Sequence, residues 1–387
     1  MHRLTSSLRS VPLADTAARA EAVAAGLGIT RVTDTTWLDS VGIPVFASVR
    51  PSAAPGSLCV NAGKGVRPEE ARVGALMEAI EFARAEYGAR TVEVFDSTPH
   101  EVASQPGAEF DFVDLCPLLG RQVDPHGRLV CVMAEDIVDG TRIALPAELV
   151  FSPYKENPGQ RIFGTSTNGL SSGNTVEEAT LHGLAEVIER DVNAFNHIAD
   201  RSRLVKLDNP PPEIAELVAK VEAAGLRAVL RYTPNEFGLP YVAGFILEPG
   251  DDVPIAIAHG AGLHPVRDIA AVRGLCEAAQ SRLTGIHGGR DDLLAGGRYT
   301  PRAGDVAALR ARVTDATDAV RYSEIPTHPV TSIDSALQLL LDRLQRKVYR
   351  VILSTMDSLA AVRVIVPGLE SLTHGLNRVG PRLAARA

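Results

Sequence analysis

The chain has 387 residues, of which 45% are apolar and 22% charged, with a formal net charge of −8. These values fit a globular protein with a large core and argue against a general nucleic-acid or membrane surface. No apolar run reaches the roughly eighteen residues of a transmembrane helix, and residues 1–31 lack the apolar centre of a secretory signal.

In chain order, Pro12 followed by an apolar-periodic stretch predicts a helix over Asp15–Ala25, ended by Gly26 and Gly28. Strands are predicted over Ile43–Val49 and Ser57–Asn61, after which Gly63-Lys64-Gly65 turns the chain into a helix. Further strands are expected over Thr91–Phe95, Leu129–Met133 and Arg142–Leu145. A Ser/Thr/Asn/Gly loop spans residues 161–173 and feeds a second long helix. Then come a helix over Pro212–Ala224 and strands over Ala228–Tyr232, Tyr241–Leu247 and Ile255–Ala258. Gly260–Pro265 leads into a third long helix, and the tail holds a helix over Ser332–Gln345 with strands over Val348–Leu353 and Val362–Val366. Pro and Gly are spread throughout, so no linker marks a boundary; the pattern reads as one α+β unit with internal pseudo-repeats.

The three long helices repeat one pattern without a gap. Glu69-Glu70-Ala71 precedes Glu78 and Glu81; Glu177-Glu178-Ala179 precedes Glu186 and Glu189; Asp268-Ile269-Ala270 precedes Glu277 and Gln280. Residues three apart share a helix face, so each closing pair aims its oxygens one way. A lone Glu-x-x-Glu is usually a solvated face. Three aligned copies in apolar surroundings reverse that reading, because buried carboxylates are costly unless cations neutralise them. An oxygen-only donor set favours Mg²⁺ or Ca²⁺, and the Glu-x-x-His of di-iron bundles is missing. Glycine-bearing loops before each helix suit anions, and Arg190, Arg273 and Arg282 suit phosphate oxygens; together they point to a nucleoside triphosphate.

Other features have plainer readings. Lys64 is not part of a P-loop, since Leu58 stands where glycine is required and Gly65 where Ser or Thr is required. Cys59, Cys116, Cys131 and Cys276 show no Cys-x-x-Cys spacing, which favours reduced cytosolic thiols over zinc or disulfides. Cys276, His182 and His264 read as structural residues, and Trp37 as a core aromatic.

The stretches GKGVRPEEARVGALMEAIEFARAE, NGLSSGNTVEEATLHGLAEVIERDV and GAGLHPVRDIAAVRGLCEAAQSRL, followed by GGRDD, resemble the YcaO family of ATP-dependent peptide-backbone-modifying enzymes. With spaced matches elsewhere, the resemblance covers nearly the whole chain. It implies one YcaO-type α+β domain over residues 1–387, with mixed and antiparallel sheets packed with helices around an ATP pocket. The core motifs lie at about 60–295 and a C-terminal helix and strands at 330–370. By resemblance, Glu78, Glu81, Glu186 and Glu189 would hold Mg²⁺. Asn174, Glu178, Arg190, Arg273 and Glu277 would contact ATP or complete the metal shell, with Arg190, Arg273 and Glu277 acting in catalysis. Lys64, Gln280 and Arg282 join the nucleotide-facing set, and Arg9 and Thr16 match an N-terminal nucleotide-contacting Lys and Ser.

Two positions depart from the family pattern: Gly74 replaces a Ser, and Phe82 replaces the Arg of the usual Glu-Arg ending. The tail HGLNRVGPRLAARA lacks the Pro-rich end of many azoline-forming members. GLGITRVTDTTWLDSVGIPVFASVRP near the start and VPGLE near the end resemble the subgroup that works with a TfuA partner and is associated with backbone thioamidation. The implied protein is a cytoplasmic homodimer acting on a ribosomally made peptide with a TfuA-like partner and a sulfide source. An azoline-forming cyclodehydratase and a non-catalytic peptide-binding scaffold are the alternatives.

Overall fold

A strand, not a loop, precedes each repeat helix in the computed structural model, which describes residues 1–89, 92–288, 303–372 and 377–386. β1 (Val60–Lys64) leads into α1 (Pro68–Ala85), β2 (Leu170–Gly173) into α2 (Val176–Ile198), and β3 (Ile257–Leu263) into α3 (Arg267–His287). The glycines expected to form anion-binding loops are therefore largely strand residues, and the reason is steric. A Cβ at Gly63 would lie 2.0 Å from Ala75 N and 2.1 Å from Ala71 O. At Gly262 it would lie 2.3 Å from Ala270 O, at Gly260 2.3 Å from Glu277 Cβ, and at Gly173 2.7 Å from Ala179 N. Each glycine lets a helix lie directly on its own strand. Gly63 pairs in register with Phe46, and Gly260 with Gly244, so both belong to sheet ladders.

Gly63→Ala should destabilise the protein by about 3 kcal/mol, the upper end of overpacking costs, because the added methyl meets backbone that cannot swing aside. Urea denaturation measures this; a midpoint equal to wild type would contradict the close contact.

Contacts divide the chain into two compact units. The first comprises Met1–Ala53, Leu58–Ala79 and Arg201–Ser332. It holds a three-stranded antiparallel sheet of Arg31–Asp34, Val45–Val49 and β1. It also holds a five-stranded sheet, in the order β3, Tyr241–Leu247, Arg227–Tyr232, Arg203–Lys206 and Ala319–Arg321. Only the last pair is parallel. Ile214 and Leu217 from the helix Pro212–Ala223, Ile246 from the sheet, and Leu275 and Cys276 from α3 are buried together in its core.

The second unit comprises Ala54–Ser57, Ile80–Asp200 and Ile333–Ala387. Its six-stranded antiparallel sheet runs Phe95–Ser97, Leu129–Asp136, Tyr349–Ser354, Ala360–Ile365 and β2, with Arg142–Pro146 also paired to Leu129–Asp136. Leu129, Ile143, Phe151, Phe163 and Tyr349 fill its core. α2 lies wholly in this unit and α3 in the first, while α1 passes from one to the other between Ala79 and Ile80.

The α+β class is as the sequence predicts. The strand expected over Tyr241–Leu247 has those bounds, and the helix expected from Pro212 ends one residue early, at Ala223. The strand expected at 57–61 lies at 60–64, and that expected at 255–258 lies at 257–263, because glycines at strand positions read as loop. The strand expected over 91–95 is seen at Phe95–Ser97; residues 90 and 91 lie outside the described residues. Trp37 corrects a core assignment: it sits on a short 3₁₀ turn and is 77% exposed, its ring lying over Gly42, while Val41, Ile43 and Val45 fill the interior.

Candidate active site

In the second unit, α2 begins at Thr175, whose hydroxyl accepts the Glu178 backbone N–H at 3.1 Å. Glu178 is fully buried, and the Asn174 amide donates to both of its carboxylate oxygens, at 3.1 and 3.2 Å. One helical turn pair further on come Glu186, with its side chain 26% exposed, and Glu189, 5% exposed. Arg190 Nε lies 3.9 Å from Glu186 Oε1. The far side of the helix is fixed by Asp191, which accepts the Glu370 N–H at 2.7 Å and Arg382 Nη1 at 2.6 Å.

The charges of acids from two repeats act on a residue that no motif contained. Arg363, on the strand Ala360–Ile365, is fully buried. It donates to Val150 O at 3.0 Å, Asn168 O at 2.9 Å and Ser166 O at 3.1 Å. Burial lowers its pKa to about 10, opposed first by the charge of Glu186 and then by that of Glu81. Glu81 of α1 and Glu186 of α2 therefore lie within electrostatic reach of one guanidinium. A signal was present in the sequence: Arg363 is the one charge in the apolar run Leu359–Pro367. Where the family pattern has a cation after the first pair, Phe82 is 8% exposed and packs as a core residue.

Within the first unit, Lys64 Nζ pairs with Glu277 Oε2 at 2.7 Å. Gln280 Nε2 donates to Ala62 O at 2.8 Å, tying α3 to β1. Arg273 Nε is buried and has no hydrogen-bond partner among the described residues. Arg282, expected at the nucleotide, is instead 8% exposed at its side chain and bonded to Asp39 at 3.0 Å and Glu248 at 2.7 Å. Thr16 is fully buried, its hydroxyl turned back to Pro12 O at 3.4 Å. Arg9 ends a short strand, Leu8–Arg9, beside which Thr5 N–H donates to Glu70 at 3.2 Å and Arg3 to Asp268 at 3.1 Å. The acids opening the first and third helices thus anchor the N-terminal segment.

The bland readings of three residues agree with their surroundings. Cys276 is fully buried, and burial pushes its thiol up to about 12. His264 Nδ1 accepts the Val266 N–H at 3.0 Å, and His182 Nδ1 lies 3.4 Å from Ser172 O. The Arg-Asp-Asp of GGRDD lies outside the described residues.

Among the described residues, no three His, Cys, Asp or Glu side chains gather closely enough to hold a metal by themselves. The acids face the chain's own cations, Arg190, Arg363 and Lys64. Each unit nevertheless offers groups of the kind that suit a magnesium nucleotide: the acids of the second are oxygen donors, and in the first Arg273 has a buried N–H without a partner among the described residues.

A family model described as YcaO cyclodehydratase, ATP- and Mg²⁺-binding, matches residues 62–370. An uncharacterised protein of Methanothermobacter thermautotrophicus is 34% identical over 368 residues, covering 92% of this chain and 94% of the relative. A Rhizobium leguminosarum bv. trifolii protein, described as lying in the tfuA 3′ region, is 31% identical over 363 residues, covering 89% and 84%. The solved structure of YcaO from Methanopyrus kandleri, bound with AMPPCP and Mg²⁺, has the same fold, with a TM-score of 0.77 at 24% identity. That likeness covers 98% of this chain and 96% of the other.

Proposed function

The chain belongs to the YcaO family, and from that premise we propose that it is an ATP- and Mg²⁺-dependent enzyme that activates a peptide backbone amide by O-phosphorylation and yields a thioamide. The observation that carries the reading is that the charges of Glu81 and Glu186, from separate repeats, both act on the fully buried cation Arg363.

In this reading Glu78, Glu81, Glu186 and Glu189 hold Mg²⁺, which when bound shields the triphosphate and favours transfer of its γ-phosphoryl group. Asn174 and Glu178 form the polar floor at the start of α2. Arg190 and Arg273 take the phosphate oxygens, and Arg273 has an N–H to give. Lys64 and Glu277 are already paired; a bound triphosphate would draw Lys64 toward its oxygens and leave Glu277 to complete the acidic shell. Arg282 we read as a structural cation, since Asp39 and Glu248 take up its charge.

The chemistry balances without a protein nucleophile. Hydrosulfide adds to the amide carbonyl carbon, the resulting oxyanion attacks the γ-phosphorus, and ADP leaves. The tetrahedral carbon then expels phosphate as the C–S bond becomes C=S and the sulfur loses its proton. The residues contribute positioning and charge stabilisation. The relative in the tfuA 3′ region supports a TfuA-like partner, and with it thioamidation over azoline formation. A homodimer in the cytoplasm remains part of the same proposal.

The test is mass spectrometry of a peptide incubated with the protein, ATP, Mg²⁺, sulfide and a TfuA-like partner. Replacement of O by S, a gain of about 16 mass units that requires sulfide, is expected. Loss of water without sulfide dependence would replace this reading with the cyclodehydratase one.

A further inference from the structure

Asn61 on β1 is 1% exposed, and neither its amide nitrogen nor its amide oxygen has a hydrogen-bond partner among the described residues. Buried polar groups are almost always paired, so a carboxamide with both ends unmet calls for a reason. Its direction follows from three observations within the first unit. Side chains alternate along a strand, so Asn61 shares a face with Gly63, whose Cβ position points into α1 at Ala71 and Ala75. Ser48, the register partner of Asn61, donates to Ala75 O of α1 at 2.7 Å. The pseudo-repeat gives the third: Asn61 stands eight residues before Glu69, as Gly260 stands eight before Asp268. A Cβ at Gly260 would meet Glu277, the counterpart of Glu78. The corresponding position of the second repeat is Gly169.

Two of the three repeats thus have glycine where the first has a buried amide aimed at its acidic turn. We propose that Asn61 is a positioning residue of the magnesium nucleotide site, holding the Glu78 carboxylate or a water of the hydrated cation through its carboxamide once Mg²⁺ is bound; this rests on the function proposed above. An amide suits that role because it can donate to a carboxylate and accept from a metal-bound water, and it adds no charge beside Glu78.

The test compares wild type with Asn61→Leu and Asn61→Gln, using Mn²⁺ as the probe in the presence of AMPPCP. Free Mn²⁺ is followed by electron paramagnetic resonance, and thermal unfolding of the unliganded protein is measured alongside. Leucine keeps the branching and the number of heavy atoms of the asparagine side chain and has no polar group to bury. Asn61→Leu should therefore unfold at the wild-type temperature or above while its Mn²⁺ affinity falls about tenfold. Asn61→Gln should recover part of that affinity. Equal Mn²⁺ binding by wild type and Asn61→Leu would overturn the proposal, as would a lower unfolding temperature with the affinity loss, which marks a structural role. If wild type itself binds no Mn²⁺ with AMPPCP, the function proposed above fails instead.

Discussion

Glu186→Gln is expected to weaken binding of Mg²⁺ with a non-hydrolysable ATP analogue by about 100-fold or more, since even outer-shell partners of a metal are worth about 10–100-fold. Glutamine keeps the size of the side chain and one oxygen but removes the charge that a hard cation needs. Two effects oppose each other in the unliganded protein. Arg363 loses a favourable neighbour, while Glu81 loses a repulsive one. Glu186 is partly exposed, and Arg363 keeps its three carbonyl partners, so unfolding should shift by no more than about 1 kcal/mol. Glu81→Gln should behave alike, and the double variant should lose less than the product of the two, because both acids would serve one ion. Glu177→Gln is the control: the residue lies on the same helix but is exposed. Isothermal calorimetry on wild type and the four variants decides the matter. Undiminished binding by Glu186→Gln would remove the acidic site from the account.

The second large effect concerns stability. Arg363→Met keeps the length of the side chain and leaves Val150 O, Ser166 O and Asn168 O without their donor in the interior. Each stranded carbonyl costs about 1–3 kcal/mol, and removing one partner from a buried charged network costs about 3–5 kcal/mol. A loss of about 4 kcal/mol corresponds to a fall of roughly 10 °C in a unit of this size. Glu81 and Glu186 also lose the cation that offsets them, so added Mg²⁺ should restore more stability to the variant than it adds to wild type. Arg363→Lys should fall between, because an ammonium cannot match the planar fork that serves three carbonyls. Differential scanning calorimetry with and without Mg²⁺ reads both effects. A drop below about 1 kcal/mol for Arg363→Met would show that the loop at 150–168 does not depend on it.

Much of the candidate site was legible because it is written locally. Glu78 and Glu81, Glu186 and Glu189, and Glu277 and Gln280 owe their common face to helical periodicity alone. The packing role of Cys276 was equally plain, and it is buried in α3. What misled was glycine. Gly63, Gly260 and Gly262 read as turn formers, yet they serve close approach between a helix and its own strand, a use that only the neighbouring backbone reveals. Trp37 misled for the opposite reason. A large aromatic is usually buried, but the 3₁₀ turn around it points outward.

The amino-acid order by itself determined the three aligned helices, their acidic faces, the α+β class and the resemblance to the YcaO family. It could do so because helix periodicity and motif spacing depend on residues within a few turns of one another. Only the tertiary structure decided which charges act on one another: Glu81 and Glu186 on Arg363, Lys64 on Glu277, Arg282 between Asp39 and Glu248. Apart from Arg282 and Glu248, those partners lie from 177 to 282 residues apart in the chain, and the energy of a buried charge is set by its neighbours in space, which no local pattern records.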